Sequence, residues 1–268
     1  MGLYAKGDRI YMSTRYQLWQ FDNLLVTGEV RQGCDRLYFP KQSHTTGDLN
    51  VHDVVIDKND DLLFVNTDFS CLARLSESYS FEPVWQPPFI SKLVAEDRCH
   101  LNGLAMRQGQ PAYVSACSST DKAAGWRDRR VDGGVIIDVQ NNEIVAKGLS
   151  VPYSPRWYQG KLWVLNSGSG ELGHIDLEAG KFVPLTFCPG FVRGLAFWQN
   201  HAFVGLSKLR SRVFTGLALE TRLDAQGHQP QCGLMVIDLS TGNVVHWLHC
   251  AVERFATTEK FVTNHHRV

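Results

Sequence analysis

No stretch of the 268-residue chain reaches the roughly eighteen consecutive apolar residues that a membrane-spanning helix needs. The opening residues, Met1 to Asp8, lack the charged-then-apolar layout of a secretory leader. Neither charge is in excess, since Lys plus Arg number 27 and Asp plus Glu number 27. That balance gives no electrostatic reason to expect nucleic acid or an anionic membrane as partner. The seven cysteines are odd in number, scattered and never spaced as CxxC, which argues against a disulfide framework or a structural zinc site. A reducing, cytoplasmic setting is therefore expected. Glycine-rich phosphate loops are missing as well, so no nucleotide cofactor is expected. Gly168-Ser169-Gly170 is a lone triplet and not the GxSxG of a serine hydrolase. No helix-period stretch of useful length occurs, though Ile90 to Asp97 would make a helical turn or two. What is present is an ordinary globular composition, 44% hydrophobic and 20% charged, which excludes disorder as the main state.

The chain repeats itself. Asp53–Asn66, Asn102–Ser115, Ser154–Asn166 and Arg193–Gly205 each read as an apolar strand, a tight polar turn and a second apolar strand centred on an aromatic. The aromatics are Phe64, Tyr113, Trp163 and Phe203, spaced by 49, 50 and 40 residues. A weaker copy, Gly2 to Ser13, opens the chain. A second half-repeat runs from Gly134 to Ala146, from Leu172 to Val183 and from Gly233 to Val245. In each, a strand ends at Asp138, Asp176 or Asp238, an Asn- or Gly-bearing turn follows, and another strand begins, which is hairpin grammar. These aspartates are expected to cap their turns. Four strands per unit of this length predict an all-β fold, a β-propeller of four-stranded blades. As one domain over 1–268, its blades fall at about 1–40, 51–90, 101–149, 151–187 and 191–250, with 251–268 as closing strand and tail. Five repeats are visible, and a six-bladed ring with one incomplete blade is the alternative.

In a propeller the first-strand starts and the long connections share one face. Here Gln86–Leu101, Ala116–Asp132 and Ser207–Gln231 are long, which marks that face as the elaborated one. The strand starts bring His52, Asp53, Asn102, Ser154, Arg156 and Arg193 to it, and the second-strand ends add Asn66 and Asn166. Convergent polar groups over an apolar scaffold suit a small-molecule site. His52, Asp53 and His100 are the candidate acid–base residues, with Asp53 or Glu96 as orienting carboxylates. Arg156 and Arg193 would fix an anion, and Asn102, Asn66, Asn166 and Ser154 would bind ligand. His44, Glu96 and Asn102 are ligand types for a divalent metal, without a strong metal spacing among them. Cys99 and Cys117 lie close in sequence to these groups, either as nucleophiles or as inert buried thiols. Trp85 and Trp126, in long connections, are candidates for a wall stacking on a ring-shaped ligand.

Several long phrases carry a resemblance: Ser43-His-Thr-Thr-Gly-Asp48, Trp85-Gln-Pro-Pro-Phe-Ile-Ser91, Glu96-Asp-Arg-Cys-His-Leu-Asn-Gly-Leu-Ala105, Ser154-Pro-Arg-Trp157 and Pro189-Gly-Phe-Val-Arg-Gly-Leu-Ala-Phe197. As far as about Leu248 the chain resembles a bacterial family of conserved hypothetical proteins that sometimes occur beside tetratricopeptide repeats. That kinship implies no reaction. It implies strands ahead of the point corresponding to Met1 and an acidic final strand where this chain has Glu253-Arg-Phe-Ala-Thr257. More distantly, Leu101-Asn102-Gly103-Leu104 is similar to a strand of the gluconolactonase and regucalcin propellers, which implies Asn102 as a metal ligand. The glutamate and later aspartate of that pattern have no counterpart here. Two readings follow: a hydrolase or lyase, metal-assisted in one form, on a small polar or anionic metabolite, or a non-catalytic propeller that binds a ligand or a protein partner.

Overall fold

In the computed structural model, which describes residues 2–208 and 216–250, twenty strands form five four-stranded antiparallel sheets, the blades of a five-bladed β-propeller. Blade one is β1 (Leu3–Lys6), β2 (Arg9–Ser13), β3 (Gln17–Asn23) and β4 (Tyr38–Thr45). Blade two is β5 (Val51–Ile56), β6 (Leu62–Asn66), β7 (Cys71–Arg74) and β8 (Glu82–Trp85). Blade three is β9 (Leu101–Arg107), β10 (Gln110–Ala116), β11 (Gly134–Asp138) and β12 (Glu143–Leu149). Blade four is β13 (Pro152–Tyr158), β14 (Lys161–Asn166), β15 (Glu171–Asp176) and β16 (Lys181–Phe187), and blade five is β17 (Phe191–Trp198), β18 (His201–Ser207), β19 (Gly233–Asp238) and β20 (Val244–His249). One helix, α1 (Ala218–Gln226), and a 3-10 turn, Gly125–Arg129, lie in the connections after β18 and β10. No helix among the described residues is long and apolar enough to cross a membrane. Ile90 to Asp97 contains no helical turn. The five-blade reading of the repeats therefore holds, and the expected closing strand at 251–268 lies outside the described residues.

Alternation along each strand sends one set of side chains to each neighbouring blade, so the core is a series of inter-blade layers. Tyr11, Leu18, Val54 and Phe64 pack blade one on blade two. Leu72, Leu101 and Val114 pack two on three, Ile136, Leu162 and Val164 pack three on four, and Leu172, Val204 and Met235 pack four on five. Each such side chain, removed from water, contributes roughly 1.5–3 kcal/mol before the entropy of ordering is counted. The repeat aromatics Phe64, Tyr113, Trp163 and Phe203 all fall in second strands, and the first three are buried.

The third-strand aspartates cap their turns. The Asp138 carboxylate accepts the backbone N–H groups of Gln140 and Asn141, Asp176 those of Glu178 and Ala179, and Asp238 those of Ser240 and Thr241. This Asx geometry satisfies the turn locally and sets the register of the fourth strand.

The inner strands of blades two to five share a distortion that positions the functional face. The antiparallel register slips between Val51 and Val54 in β5, near Leu101–Gly103 in β9, between Tyr153 and Arg156 in β13 and between Val192 and Leu195 in β17. Each slip is a β-bulge, a device that re-aims a side chain at a strand end. The bulges hold His52–Asp53, Asn102, Ser154–Pro155 and Arg193–Gly194, the positions at which the sequence places its polar strand starts. Ser154 at φ 51° and Gly194 at φ 75° take the left-handed conformation that such a bulge demands.

Candidate functional site at the channel mouth

At the mouth formed by blades two to five, a chain of hydrogen bonds runs in one direction. An Arg193 Nη donates to the Tyr153 hydroxyl at 2.8 Å, and that hydroxyl lies 3.0 Å from His100 Nε2. His100 Nδ1 is 3.0 Å from both oxygens of Asp97, and Trp126 Nε1 donates to the same carboxylate at 2.9 Å. A carboxylate accepts only, so His100 carries its proton on Nδ1 and offers a lone pair on Nε2 to the tyrosine O–H. The donors thus run Arg193, Tyr153, His100, and the chain ends on Asp97 as acceptor. The Trp126 ring stacks on His100 at 4.1 Å and closes one side, while the Arg193 guanidinium lies 4.4 Å from the Tyr153 ring centroid and 5.3 Å from that of Phe191. Buried in low dielectric, these contacts are stronger than at the surface.

His52 faces this chain, its ring centroid 4.9 Å from that of His100 and 6.0 Å from that of Tyr153. Its Nδ1 is 2.9 Å from the Asn50 carbonyl and 2.8 Å from Thr67 Oγ1. The Thr67 hydroxyl donates its own proton to the Leu101 carbonyl at 2.6 Å, so both neighbours of Nδ1 act as acceptors and the tautomer is Nδ1–H. Nε2 is then a lone pair, with no hydrogen-bond partner among the described residues. Burial first, then the repulsion a proton on His52 would meet from a protonated His100 and from Arg193, holds His52 well below its ordinary 6.5, so the ring is neutral at pH 7.

The other expected residues do different work. Asp53 is buried and takes a two-pronged ion pair from Arg156, at 2.7 and 3.1 Å, together with the backbone N–H groups of Val54 and Leu104. Arg156 also donates to the Leu104 and Pro155 carbonyls. The pair therefore braces the inner strands of blades two, three and four, and its donors and acceptors are engaged with one another. Asn102 accepts from the Ser115 hydroxyl at 2.6 Å and donates to Cys117 Sγ at 3.4 Å. Asn66 accepts the Phe69 N–H in the turn after its strand, Asn166 accepts the Ser150 N–H in the connection into β13, and Ser154 Oγ accepts the Gly194 N–H, linking two bulges.

The expected metal set does not come together. His44 sits on the outer strand β4 beside Gln42, at a cavity of about 240 Å³ lined by Arg9, Tyr11, Asp60 and Arg74 at the blade-one rim. Glu96 is bound to Arg98 at 2.8 Å, and Asn102 is engaged as above. Among the described residues no group of three or more His, Cys, Asp or Glu side chains could hold a metal ion. Cys99 and Cys117 are buried, and burial pushes the Cys99 thiol up to about 12 and Cys117 well above its ordinary value, which leaves both unreactive. Of the two loop tryptophans, Trp126 forms the wall over His100, whereas Trp85 reaches across to blade three and donates to Asn142 at 2.8 Å.

Three participants are absent from the sequence candidates or carry a different role there. The carboxylate that orients His100 is Asp97 rather than Asp53 or Glu96. Thr67 sets the His52 tautomer, and Tyr153 joins His100 to Arg193. Tyr153 had a usable signal: it occupies the position just before the bulge, where the other inner strands carry Val51, Leu101 and Val192.

A family model described as a domain of unknown function (DUF4915) matches residues 1–256. No curated protein matches the sequence significantly. Among solved structures, a chain of a nidogen/laminin complex superposes with a TM-score of 0.55 at 8% identity, covering 91% of this chain and 76% of that one. Virginiamycin B lyase from Staphylococcus aureus gives 0.48 at 10% identity, covering 93% and 69%. The computationally designed Ika8 protein gives 0.44 at 11% identity and covers 92% of this chain, which spans 60% of the Ika8 length. At these identities the likeness concerns the fold alone. The family match agrees with kinship to conserved hypothetical propeller-like proteins and does not extend to an association with tetratricopeptide repeats.

Proposed function

We propose, for a chain that belongs to the DUF4915 family of domains of unknown function, that the channel mouth is an acid–base site for a small anionic metabolite, with His52 as the base and Arg193 as the anchor of the anion. The observation that carries this reading is the state of His52: Nδ1–H is held by two oxygens, the ring is kept neutral, and a lone pair remains at Nε2. A base must be unprotonated and oriented before substrate arrives, and both conditions are met here. Arg193 supports the second half. Its Nη holds Tyr153, its Nε is buried with no hydrogen-bond partner among the described residues, and its charge stands at the same mouth. Unused guanidinium donors suit a carboxylate or phosphate. The reaction class is removal of a proton from water or from a carbon acid, giving hydrolysis or elimination. The donors around His52 are imidazole, hydroxyl and phenol rather than the three protein ligands of a catalytic metal site, so the reading proceeds through protons.

The test is a calorimetric and thermal-shift screen of the protein against small mono- and dicarboxylates and inorganic phosphate, followed by turnover assays on the binders. Binding by one class of anion is expected, lost in Arg193→Met and retained in His52→Gln, with turnover lost in the latter. Binding without turnover in the unaltered protein would make the site a non-catalytic ligand module. Equal binding by Arg193→Met would remove the site from the mouth.

A further inference from the structure

We propose that Tyr153 is the proton donor of this mouth: it protonates the departing oxygen of a small carboxylate while His52 removes a proton from the adjacent carbon, so the substrates are carboxylates with a β-oxygen leaving group. This rests on the reading of His52 and Arg193 above.

Three observations carry it. First, Tyr153 is the meeting point of the two charged ends of the chain, accepting from Arg193 at 2.8 Å and facing the His100 lone pair at 3.0 Å. Loss of its proton would leave an anion against a guanidinium that both donates to the oxygen and lies 4.4 Å from the ring centroid. Second, His100 is backed by Asp97, so it can carry a second proton and return it to the phenol. The charges would then alternate along Arg193, Tyr153, His100 and Asp97. Third, the bases on offer are distinct. His100 is covered by Trp126 and committed at both nitrogens, whereas His52, its ring 6.0 Å from that of Tyr153, keeps Nε2 free. A base and an acid at that separation can address neighbouring atoms of one small molecule.

Among the described residues, the titratable and charged groups facing Tyr153 include His52 on β5, Asp97 and His100 on the connection before β9, and Arg193 on β17. In the step itself, the carbon–hydrogen bond breaks and its proton goes to His52 Nε2. The electron pair becomes the second bond of a carbon–carbon double bond, and the carbon–oxygen bond opens. The Tyr153 O–H turns to the departing oxygen and gives up its proton. An unsaturated carboxylate and water or an alcohol leave, and the proton on His52 balances the one Tyr153 has lost. Arg193 holds the carboxylate and bears the charge that develops on it.

The experiment uses the full chain with tyrosine labelled at the carbon bearing oxygen, titrated by NMR, with Tyr153→Phe to identify the resonance. Tyr153 is expected to be at least a tenfold stronger acid than Tyr79, which is 78% exposed, and Arg193→Met is expected to abolish that difference. In parallel, 3-hydroxy- and 3-alkoxy-carboxylates are incubated with the protein in heavy water. The unaltered protein should exchange the α-proton and form the alkene. Tyr153→Phe should still exchange it while forming alkene at least a hundredfold more slowly. A Tyr153 that ionises with or after Tyr79, or a Phe variant that eliminates at the full rate, overturns the inference. If carboxylates still bind through Arg193 in that case, only Tyr153 has lost its role. If none binds, the reading beneath it has failed too.

Discussion

A histidine whose Nδ1–H is held by two oxygens can gain charge only at its other nitrogen, and at His52 that nitrogen lies in the field of Arg193 and His100. The folded protein therefore resists a proton that the unfolded chain accepts near pH 6.5. Stability from this residue is complete above that pH and falls as acid is added, because the unfolded state binds the proton first. The unfolding free energy from urea titrations at pH 7.5 and 5.5 should fall more in the unaltered protein than in His52→Gln, by about 1 kcal/mol. Equal falls would mean that His52 titrates normally. Asp53 makes a contrasting case. It is read from sequence as an acid–base partner, yet in the structure its carboxylate meets Arg156 and two backbone N–H groups and is 5% exposed. Asp53→Asn leaves the guanidinium without its counter-charge and should cost about 3 kcal/mol in denaturant. Replacing both together, Asp53→Leu with Arg156→Met, should cost less than the sum of the two single changes. If Asp53→Asn is neutral in stability, the ion pair does not brace the inner strands.

At the scale of the element, the inner strands approach one another through residues that have no side chain to spare. A Cβ added at Gly103 would collide with Pro155 Cδ and stand 2.8 Å from Ser115 Oγ, the group that holds the Asn102 amide. Gly103→Ala should therefore cost roughly 1–3 kcal/mol by overpacking, read as a lower urea midpoint. A midpoint at the level of the unaltered protein would show that blade four yields at no cost. The elements were legible because their rules are local. An aromatic recurs in the second strand at Phe64, Tyr113, Trp163 and Phe203, and Asp138, Asp176 and Asp238 bond to backbone two and three residues on. The bulges themselves were not read from the sequence, where His52, Asn102 and Arg193 stood out only as polar strand starts. Nor were the partners of those residues. Whether His100 leans on Asp97 or Glu96 depends on backbone turns at φ 44° for Asp97 and 52° for His100, and these point Glu96 toward Arg98 instead. Tyr153 meets His100 across 53 residues, and no spacing within one repeat encodes a contact between blades.

For the whole molecule, burial falls from the channel outward and from the middle blades toward blade one. In β9 the residues Leu101 to Ala105 are all buried, and in β13 so are Pro152 to Pro155. The outer strands β4 and β20 are exposed along most of their length. Inner strand β1 departs from its counterparts, with Leu3 64% exposed, and among the described residues the buried side chains of blade one cluster with those of blade two. Amides open by local unfolding, and the cost of opening rises with the apolar surface that opening exposes to water. Hydrogen exchange read by mass spectrometry should therefore protect β6, β9, β10 and β14 longest and release β4, β8 and β20 at least tenfold sooner. Strand β1 should exchange with the outer strands rather than with β9, despite its place at the channel. The mouth draws His52, His100, Tyr153 and Arg193 from the well-packed arc of blades two to five, so its geometry should outlast blade one as denaturant is raised. Protection that is uniform across all twenty strands, or a β1 as slow as β9, would mean that blade one is packed on both faces and that the site depends on the ring as a single cooperative unit.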